Sequence, residues 1–577
     1  MFDNIPQLKL VGATAIITLT GWWVTRQIFD SVNSIAFPNS KRVFHQLRLL
    51  PYLGRRIDEY LHKKTKSAID GFYDDAITAS RDWPTLSLPE KGNTIFEIQE
   101  MFEDFLQPLS KQVSDLDKVS GNIYIDYDEE FVKMQGQIMA GTAFLNPMHN
   151  NTKPVMARME ANLLDICRKL FYAPDSYGGS INHGGSTSIF EAVKTYTFYA
   201  RNILGIEKPN IIVASSVHIA FYKAAECLDI NIIVVDVDKE TYKANVAAME
   251  RKINRQTILL VGSAPEFMTG TIDPITELAR VACKYNIGFH VDACLGGFLT
   301  AFADKADVEI EERCDFRVNG VTSISADLHK YGGTVKGVSV LLLGNINYRK
   351  LGITKTLSLS RQQIQAYSEW PGGFYVTKTL DGSRSLTPIA SSLATIMYLG
   401  RDYYVETLKK LVCIREKIEK AIRERQEDVF ENVKICGRPK LSILAFGSTS
   451  FKTPAHLVAT KMKRDFGWDL NLLQHPERFH ICLTKVHCKD STDSHSDTAD
   501  KFLNDLKETL LYFIEQPEKE KPSGMAELYC SKAEIPVLAP PIMEEIAKSY
   551  INTTYSCTNL DNKDGAERTR HYPFLSK

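Results

Sequence analysis

A lysine beside a histidine follows a short β-like run in the stretch from Val321 to Gly337. Small residues precede the lysine, and the glycines after it let the backbone turn beside a bulky ligand. An amine held among apolar and small residues loses solvation of its ammonium form, so we expect its pKa to fall and its nitrogen to attack a carbonyl. Lys330 is therefore the candidate nucleophile, and Schiff-base formation is the chemistry that it predicts.

A carboxylate ends the apolar stretch from Asn286 to Asp292, and small residues follow it. Ligands of open parallel sheets bind beyond the carboxyl ends of the strands, which is where Asp292 would lie. A pyridoxal phosphate enzyme needs a lysine for the imine and an aspartate that keeps the pyridine nitrogen protonated. Lys330 and Asp292 together predict that cofactor.

Two further segments could contact such a cofactor. The glycine-rich residues 178–188 precede helical spacing from Ile189 to Asn202, and glycines with Ser and Thr at a helix start form an anion site. This segment predicts a phosphate site, although a glycine-rich cap without a ligand fits the same residues. His218 follows the apolar strand 211–214, where it could cover a flat ring or cap the next helix.

The elements that must position these groups alternate between strand and helix. Apolar strands are predicted at 211–214, 232–235 and 258–261, with helices at 218–228 and 273–285. This order requires an α/β fold with a mainly parallel sheet. We predict an anchor and basic linker (1–60), an N-terminal arm (61–150), a large cofactor-binding domain (151–390), a small α+β domain (391–515) and an extended tail (516–577).

Composition excludes some classes of function. The formal net charge is −1, from 69 basic and 70 acidic residues, which gives no support to a nucleic-acid partner. The 11 cysteines are scattered and form no Cys-x-x-Cys pair. They predict reduced thiols in a cytosolic compartment, with neither a disulfide framework nor a metal site.

An uncharged segment from Leu10 to Val24 predicts an uncleaved membrane anchor. It is bounded by Lys9 and Arg26 and ends near a Trp pair of the kind found at membrane interfaces. Basic residues follow it, which places the bulk of the chain in the cytosol. The alternatives are a cleaved signal peptide, for which the flanking residues are poor, and a buried or amphipathic helix.

Long strings of residues resemble the sphingosine-1-phosphate lyases from about Lys118 to Tyr529. They include His290-Val-Asp-Ala-Cys-Leu-Gly-Gly, Gly320-Val-Thr-Ser-Ile-Ser-Ala-Asp, His329-Lys-Tyr-Gly and Gly382-Ser-Arg. The resemblance implies the aminotransferase-type fold (fold type I) of pyridoxal phosphate enzymes. It also implies a homodimer with active sites at the subunit interface, and a single-pass anchor in the endoplasmic reticulum membrane with a cytosolic catalytic domain.

Site residues carried over from this resemblance fall into three groups. Lys330 would bind the cofactor covalently, Asp292 would pair with its pyridinium nitrogen and His218 would stack on its ring. The cofactor phosphate would be held by Gly185, Ser186 and His329. The substrate phosphate and the reacting carbons would be met by Tyr124, Asn146, His149 and Lys336, with Tyr375 and Ser383 from either subunit. Of these, Lys330, Asp292, His218, His149 and Tyr375 would be the catalytic residues.

The implied reaction is a retro-aldol cleavage of a phosphorylated long-chain base into phosphoethanolamine and a long-chain aldehyde. Two segments depart from the family pattern: residues 182–188, where Asn182, His183 and Thr187 differ, and Gly333–Val335, which replaces an aromatic-Ala-Pro. We expect the second change to loosen the loop carrying Lys336. Two alternatives remain open, namely a pyridoxal phosphate amino-acid decarboxylase and a weakly active, membrane-bound scaffold.

Overall fold

A computed structural model of the chain describes residues 92–148, 154–350, 353–488 and 498–516, together with Arg55, Arg56, Glu59, Pro89, Glu544, Ala547 and Lys548. The chain divides into two compact units, Met1–Lys111 with Glu518–Lys577, and Gln112–Pro517. The predicted anchor Leu10–Val24 lies outside the described residues. Within those residues, no helix combines the length and the apolar composition needed to cross a membrane.

Helix α1 (Ile95–Gln112) lies mostly in the first unit and matches the helical spacing of the sequence. It begins with a capping box, in which Thr94 N donates to Glu97 Oε2 at 2.6 Å and Glu97 N donates to Thr94 Oγ1 at 3.3 Å. These two bonds satisfy backbone donors that have no partner inside the helix.

A seven-stranded sheet forms the centre of the second unit. Its strands are β1 (Gly178–His183), β2 (Asn210–Ala214), β3 (Asn231–Val235), β4 (Thr257–Ser263), β5 (Gly288–Asp292), β6 (Ser323–Asp327) and β7 (Val338–Leu343). Their order is β1-β7-β6-β5-β4-β2-β3. Strands β2 to β6 are parallel to their neighbours in that group, whereas β7 is antiparallel to both β6 and β1. The predicted α/β fold with a mainly parallel sheet is confirmed.

Helices cover both faces of this sheet. They are α2 (Glu129–Thr142), α3 (Pro154–Leu170), α4 (Gly184–Tyr199), α5 (Ala220–Cys227), α6 (Val246–Lys252), α7 (Ile275–Tyr285) and α8 (Gly297–Thr300). Side chains alternate between two hydrophobic cores, since Ile211 and Val213 enter one and Ile212 and Ala214 enter the other. A strand buried on both faces needs apolar residues throughout, which explains the continuous apolar runs in the sequence.

A second, antiparallel sheet follows in the chain. Two hairpins precede it, β8 (Asn345–Lys350) with β9 (Ile353–Ser358) and β10 (Gln365–Tyr367) with β11 (Tyr375–Thr377), and α9 (Leu359–Gln363) lies between them. The elements that follow are α10 (Thr387–Arg423), β12 (Val433–Cys436), β13 (Ile443–Ser448), α11 (Ala455–Phe466), β14 (Asn471–Leu473), β15 (Arg478–Cys482) and α12 (Thr498–Glu515). The second sheet has the order β12-β13-β15-β14.

Helix α10 is two helices joined at a bend. Gly400 has φ 66° and ψ −180°, which is not helical. The first part bonds to α2, where Ser391 and Thr395 contact Gln135. In the second part, the hydroxyl of Tyr404 donates to the carbonyl of Gly332 at 2.9 Å. The bend therefore lets one stretch of chain contact α2 and the loop that carries Lys330.

The sequence interpretation of residues 178–188 was wrong in one respect. We expected a turn that opens a helix near Ile189, but residues 178–183 form strand β1 and α4 begins at Gly184. The glycine at 179 is needed by the pairing, because a Cβ there would lie 1.9 Å from the carbonyl oxygen of Leu341 on β7. Glycines had indicated a turn, whereas here they allow two backbones to approach closely.

Candidate active site

Lys330 and Asp292 line the same cavity, which has a volume of about 400 Å³. Asp292 is the last residue of β5, and Lys330 lies three residues beyond Asp327, which ends β6. Because β5 and β6 are adjacent and parallel, their carboxyl ends meet at one edge of the sheet. The sequence predicted this juxtaposition from the two strand ends.

A buried polar network orients Asp292. Its Oδ1 accepts a hydrogen bond from Cys294 N at 3.1 Å, and Ser325 Oγ lies 3.5 Å from the same oxygen. Below it, His290 contacts Ser323 and Ser325 through its two ring nitrogens, and burial lowers the pKa of this imidazole to about 4. His290 is therefore neutral near pH 7 and adds no charge beside Asp292.

Lys330 has an ion-pair partner that the sequence interpretation missed. Its Nζ lies 3.0 Å from Oδ2 of Asp327, whose side chain is 2% exposed. Burial alone lowers the pKa of the Lys330 ammonium, but the attraction of Asp327, followed by that of Cys294 and Asp292, raises it above its ordinary value. The prediction of a lowered lysine pKa was wrong because it considered desolvation without the neighbouring carboxylate.

The start of α4 lines the same cavity with Gly184, Gly185 and Ser186. Gly184 has φ +78°, and His183 before it makes no side-chain capping bond to the helix. A Cβ on Gly185 would lie 2.7 Å from Oδ1 of Asp327. Amides at an uncapped helix start can bind an anion, so the geometry agrees with the phosphate site predicted for Gly185 and Ser186.

His218 lines the cavity and also caps the following helix. Its Nδ1 accepts a hydrogen bond from Ala220 N at 3.2 Å. The interpretation that His218 contacts the start of the next helix is confirmed, and its covering of a flat ring stays a prediction. With Nδ1 occupied as an acceptor, the neutral ring carries its proton on Nε2.

Two basic side chains come from the loop after β6. His329 donates from Nδ1 to the carbonyl of Val338 at 2.8 Å, and burial lowers its pKa. Lys336 bonds to the carbonyl of Asn122 and lies 4.8 Å from the ring of Tyr124. Burial, followed by repulsion from Lys330, lowers the pKa of Lys336. His329 and Lys336 line the cavity, and Tyr124 lies buried beside Lys336.

The loop carrying Lys336 is held by backbone hydrogen bonds. Gly333 N donates to the carbonyl of Lys330 at 2.9 Å, and Thr334 N donates to that of Leu328 at 3.2 Å. Gly333 has φ +71°, and Thr334 is buried. The segment forms a turn against Leu328, and the expectation that Gly333–Val335 loosens this loop relative to the family pattern stays a prediction.

The remaining predicted site residues do not line this cavity in one subunit. Asn146 Oδ1 accepts hydrogen bonds from Met148 N at 3.0 Å and from Arg384 N at 3.3 Å. Ser383, which precedes Arg384, is exposed. Tyr375 lines a different, largely apolar cavity of about 650 Å³ together with residues 366–370. His149 lies outside the described residues.

The segment 365–384, which carries Tyr375 and Ser383, is fastened to α4 and β1. Leu380 N donates to Glu191 Oε1 at 2.7 Å, and Lys194, which pairs with Glu191 at 2.6 Å, also reaches Gln365 at 3.3 Å. At the cavity edge, His183 Nδ1 lies 3.0 Å from Asp381 Oδ2.

Arg384 completes the attachment of this segment. It donates to the carbonyl of Ile181 at 2.7 Å and to Glu160 at 2.6 Å. The helix that begins at the proposed phosphate site therefore also positions the residues around Tyr375.

Several lining residues were absent from the sequence predictions. Besides Asp327, the cavity includes Cys294, which follows β5, and Glu266 and Phe267, which follow β4. Glu266 is buried and accepts hydrogen bonds from the amides of Met268 and Thr269. The available signal was position, because each of these residues follows a strand that points to the same edge of the sheet.

The residues present fit pyridoxal phosphate. The cavity joins an amine that can form an imine, a carboxylate at the end of the neighbouring strand and an uncapped helix start for the phosphate. Its volume lies in the range typical of small-molecule sites. Within the described residues, no cluster of His, Cys, Asp and Glu side chains is arranged to hold a metal ion.

Comparison with known proteins agrees with this class. Residues 84–447 match the pyridoxal-dependent decarboxylase conserved domain. The fold is also that of the glutamate decarboxylase of Lactobacillus brevis, with a TM-score of 0.57, 21% identity and coverage of 77% of this chain and 98% of that one. Fold and site therefore define a pyridoxal phosphate-dependent enzyme.

The relatives narrow the class. The chain is 34% identical to the sphingosine-1-phosphate lyase of Drosophila melanogaster, over 95% of this chain and 94% of that protein. It is 39% identical to a probable sphingosine-1-phosphate lyase of Legionella pneumophila, over 75% of this chain and 68% of the relative. The structure of the Burkholderia pseudomallei sphingosine-1-phosphate lyase matches with a TM-score of 0.66 and 28% identity, over 75% of this chain and 94% of that one. The chain belongs to the sphingosine-1-phosphate lyase family and is a pyridoxal phosphate-dependent lyase.

Proposed function

We propose that this enzyme cleaves phosphorylated long-chain sphingoid bases into phosphoethanolamine and a long-chain aldehyde. The observation that carries the proposal is the placement of Lys330 and Asp292 on one cavity in a chain of this family. Bound pyridoxal phosphate supplies an electron sink for the carbon–carbon bond that breaks. The two sphingoid bases that we propose as substrates are sphingosine 1-phosphate and sphinganine 1-phosphate.

The side chains at the carboxyl ends of β4 to β6 would hold and orient the reacting groups. Lys330 supplies the amine to which the cofactor attaches, and Asp292 keeps a proton on the pyridine nitrogen. His218 would cover the ring, and this is supported by its place in the cavity lining and by the hydrogen bond from Ala220 N to its Nδ1. Gly185, Ser186 and His329 would bind the cofactor phosphate.

We assign the substrate phosphate and the hydroxyl-bearing carbons to a second group of residues. Lys336 supports this assignment, since partial desolvation and the nearby charge of Lys330 both lower the pKa of its ammonium. A phosphate dianion beside it would restore the balance of charge. The proposed group consists of Tyr124, Asn146, His149, Lys336, Tyr375 and Ser383.

We propose a homodimer in which Tyr375 and Ser383 serve either subunit's cavity. Large apolar side chains of the segment 365–384 are exposed, including Trp370 at 56% and Phe374 at 72%. Apolar patches of this kind mark interaction surfaces. A second copy would cover these side chains and bring Tyr375 towards a neighbouring cavity.

We further propose that Leu10–Val24 anchors the enzyme as a single pass in the endoplasmic reticulum membrane, with the catalytic part in the cytosol. The support is the sequence pattern of that segment and its basic flank. A single long hydrocarbon tail partitions reversibly into a bilayer, so an enzyme held there meets such a substrate more often. Removal of residues 1–60 should release the protein from membranes and spare turnover of short-chain substrates.

The deciding experiment measures aldehyde formation from sphinganine 1-phosphate. Wild-type protein should release the aldehyde and absorb near about 420 nm, as a lysine-bound cofactor does. Lys330→Ala should lose the band and lower turnover at least about a thousandfold, whereas Lys252→Ala, an exposed lysine on α6, should change neither. Carbon dioxide release from glutamate or tyrosine without aldehyde would favour a decarboxylase, and a band without turnover would favour a binding protein.

A further inference from the structure

The carboxylate of Asp327 is an unusual neighbour for a cofactor-binding lysine. It ends β6, is 2% exposed, and pairs through Oδ2 with Lys330 at 3.0 Å. His329 Nε2 lies 3.8 Å from the same oxygen. Within the described residues, no donor reaches Oδ1, which is buried. Lys330 is thus the charged group nearest to Asp327, whose carboxylate has hydrogen-bonding capacity left on Oδ1.

The backbone leaves Asp327 little freedom to move away. Both carboxylate oxygens lie within 2.8 Å of the place where a Cβ on residue 185 would stand. Asp327 N also donates to the carbonyl of Cys294 at 3.2 Å. The glycine turn and the end of β5 therefore hold the carboxylate next to the amine.

We propose that Asp327 is a positioning residue that receives the Lys330 ammonium whenever that nitrogen is not bound to the cofactor, and thereby favours transfer of the cofactor from Lys330 to a substrate amine. The inference rests on the role proposed for Lys330. It adds Asp327 to the residues of the site, and it states which side of the exchange between Lys330 and the substrate amine this residue favours.

The proton balance explains the direction. Attachment joins the Lys330 ammonium to an aldehyde with loss of water, and the imine nitrogen that forms keeps at most one of the three ammonium protons. A carboxylate that stabilises the ammonium therefore opposes attachment. The substrate arrives as an ammonium; when its nitrogen takes the cofactor, the proton that it gives up passes to Lys330, which regains the 3.0 Å ion pair with Asp327. An unpaired buried carboxylate costs free energy, and pairing it again favours the exchange.

Other titratable groups surround Lys330, and their effects on its pKa add to that of Asp327. The carboxylate of Asp292 and the thiols of Cys294 and Cys482 face it from the end of β5 and from β15, and the basic side chains of His329 and Lys336, whose pKa values burial lowers, face it from its own loop. Asp327 is the only carboxylate within ion-pair distance of Nζ among the residues that the structure describes.

The first test follows the exchange in the holoenzyme. Wild-type protein and Asp327→Asn are titrated with phosphoethanolamine, the product amine, and each sample is treated with borohydride, which fixes the cofactor to the nitrogen that holds it. Mass spectrometry then reports the fraction fixed to Lys330. Asp327→Asn should need about tenfold more amine to release half of the cofactor, since each unit of lysine pKa is a factor of ten.

A second measurement separates an effect on the amine from an effect on the phosphate. Pyridoxal, which has no phosphate, is bound to the cofactor-free full chain, and attachment to Lys330 is followed against pH. Removal of the carboxylate should lower the midpoint of this curve. Asp307→Asn provides the matched control, because Asp307 pairs with Lys409 at 3.6 Å on the surface.

Each outcome decides a different question. An unchanged exchange and an unchanged pyridoxal curve in Asp327→Asn would overturn the inference, and so would a change seen with the phosphorylated cofactor alone. If Asp327→Asn does not fold, the wild-type curve decides, because a midpoint below that of an ordinary lysine contradicts a stabilised ammonium. If Lys330→Ala still fixes cofactor at the same peptide, the proposed function fails first.

Discussion

At the scale of single residues, the closest fit in the cavity is between Gly185 and Asp327. A methyl group on residue 185 would lie 2.7 Å from one carboxylate oxygen, 2.8 Å from the other and 3.0 Å from Cys294 Sγ. All three atoms are buried, so they have little space into which to move. The glycine is required by this contact as well as by the approach of a phosphate.

We predict that Gly185→Ala lowers the free energy of unfolding by about 1–3 kcal/mol, as overpacking does, and weakens cofactor binding at least about tenfold. Cofactor titration and thermal unfolding measure the two effects. Gly136→Ala is the control, because Gly136 is an exposed residue of α2 with nothing within 4 Å of its Cβ position. Its stability should rise by up to about 1 kcal/mol.

A second prediction concerns the pair between His183 and Asp381, whose side chains are 49% and 37% exposed. Such a pair contributes less than about 1 kcal/mol, so His183→Ser should leave the melting temperature nearly unchanged. The KM for the phosphorylated substrate should rise several-fold, because Ser383 lies two residues beyond Asp381. Asp381→Asn should give the same KM, and the double variant no further increase. Additive effects would show that the pair does not act as a unit.

Residue types alone predicted Lys330 and Asp292, because a lysine and a carboxylate that each follow an apolar strand are what a pyridoxal phosphate site requires. The same reasoning could not supply the pKa of Lys330. That quantity depends on a contact between Nζ and Asp327 across a turn, and a sequence contains no distances. For the same reason, the sequence could not show that Tyr375, predicted as a substrate residue near Lys330, lines a different cavity within one subunit, and its role at the site stays a prediction.

At the scale of elements, α4 connects the cavity to the segment 365–384. Its first turn lines the cavity, and its buried pair of Glu191 and Lys194 reaches Leu380 and Gln365. Both side chains of the pair are at most 3% exposed. A helix whose first turn binds an anion can in this way also fix the position of a distant segment relative to that anion.

We predict that Glu191→Gln lowers the free energy of unfolding by about 3–5 kcal/mol, because the buried Lys194 ammonium loses its partner. The amide still accepts from Leu380 N, so the loss reports charge and not a missing hydrogen bond. Adding Lys194→Met should recover most of the stability. Denaturant unfolding measures all three proteins, and a double variant no more stable than the single one would contradict this account.

The periodicity of the sequence located most strands and helices, since β7 was predicted at 338–343 and α3 near 156–171. Strand β1 was missed because polar and glycine residues stand where an edge strand pairs with β7. Its buried polar side chains form bonds that no pattern reveals, such as Asn182 to Ser188 at 3.1 Å. Tertiary pairing decided the structure there.

At the scale of the whole molecule, buried titratable groups make stability depend on pH. Burial lowers the pKa of His290, His480 and His487 to about 4, and burial raises that of Asp273 to about 7. Between about pH 4 and 6.5 the unfolded chain protonates the three histidines and the folded chain does not, which lowers stability as pH falls. Asp273 and Glu266 act in the opposite sense, since burial raises the pKa of both carboxyls and the folded chain holds their protons, but they are two groups against the three histidines.

We therefore predict that the free energy of unfolding decreases as pH falls from about 6.5 towards about 4. Urea unfolding at several pH values measures it, and His487→Gln should flatten the dependence. Equal stability at about pH 7 and about pH 5 would contradict the assignment of neutral, buried imidazoles.

The bend in α10 requires a backbone conformation at Gly400 that L-amino acids do not adopt. Nothing lies within 4 Å of the Cβ position of Gly400, so a larger residue would fit the space, yet φ 66° with ψ −180° is closed to L-amino acids. The mirror-image conformation is ordinary for an extended chain, and a D-alanine installed by semisynthesis should therefore be tolerated where L-alanine is not. Tyr404, which lies beyond the bend, donates to the carbonyl of Gly332 in the loop that carries Lys330. The chirality of the exposed residue at position 400 therefore affects the position of the reactive lysine.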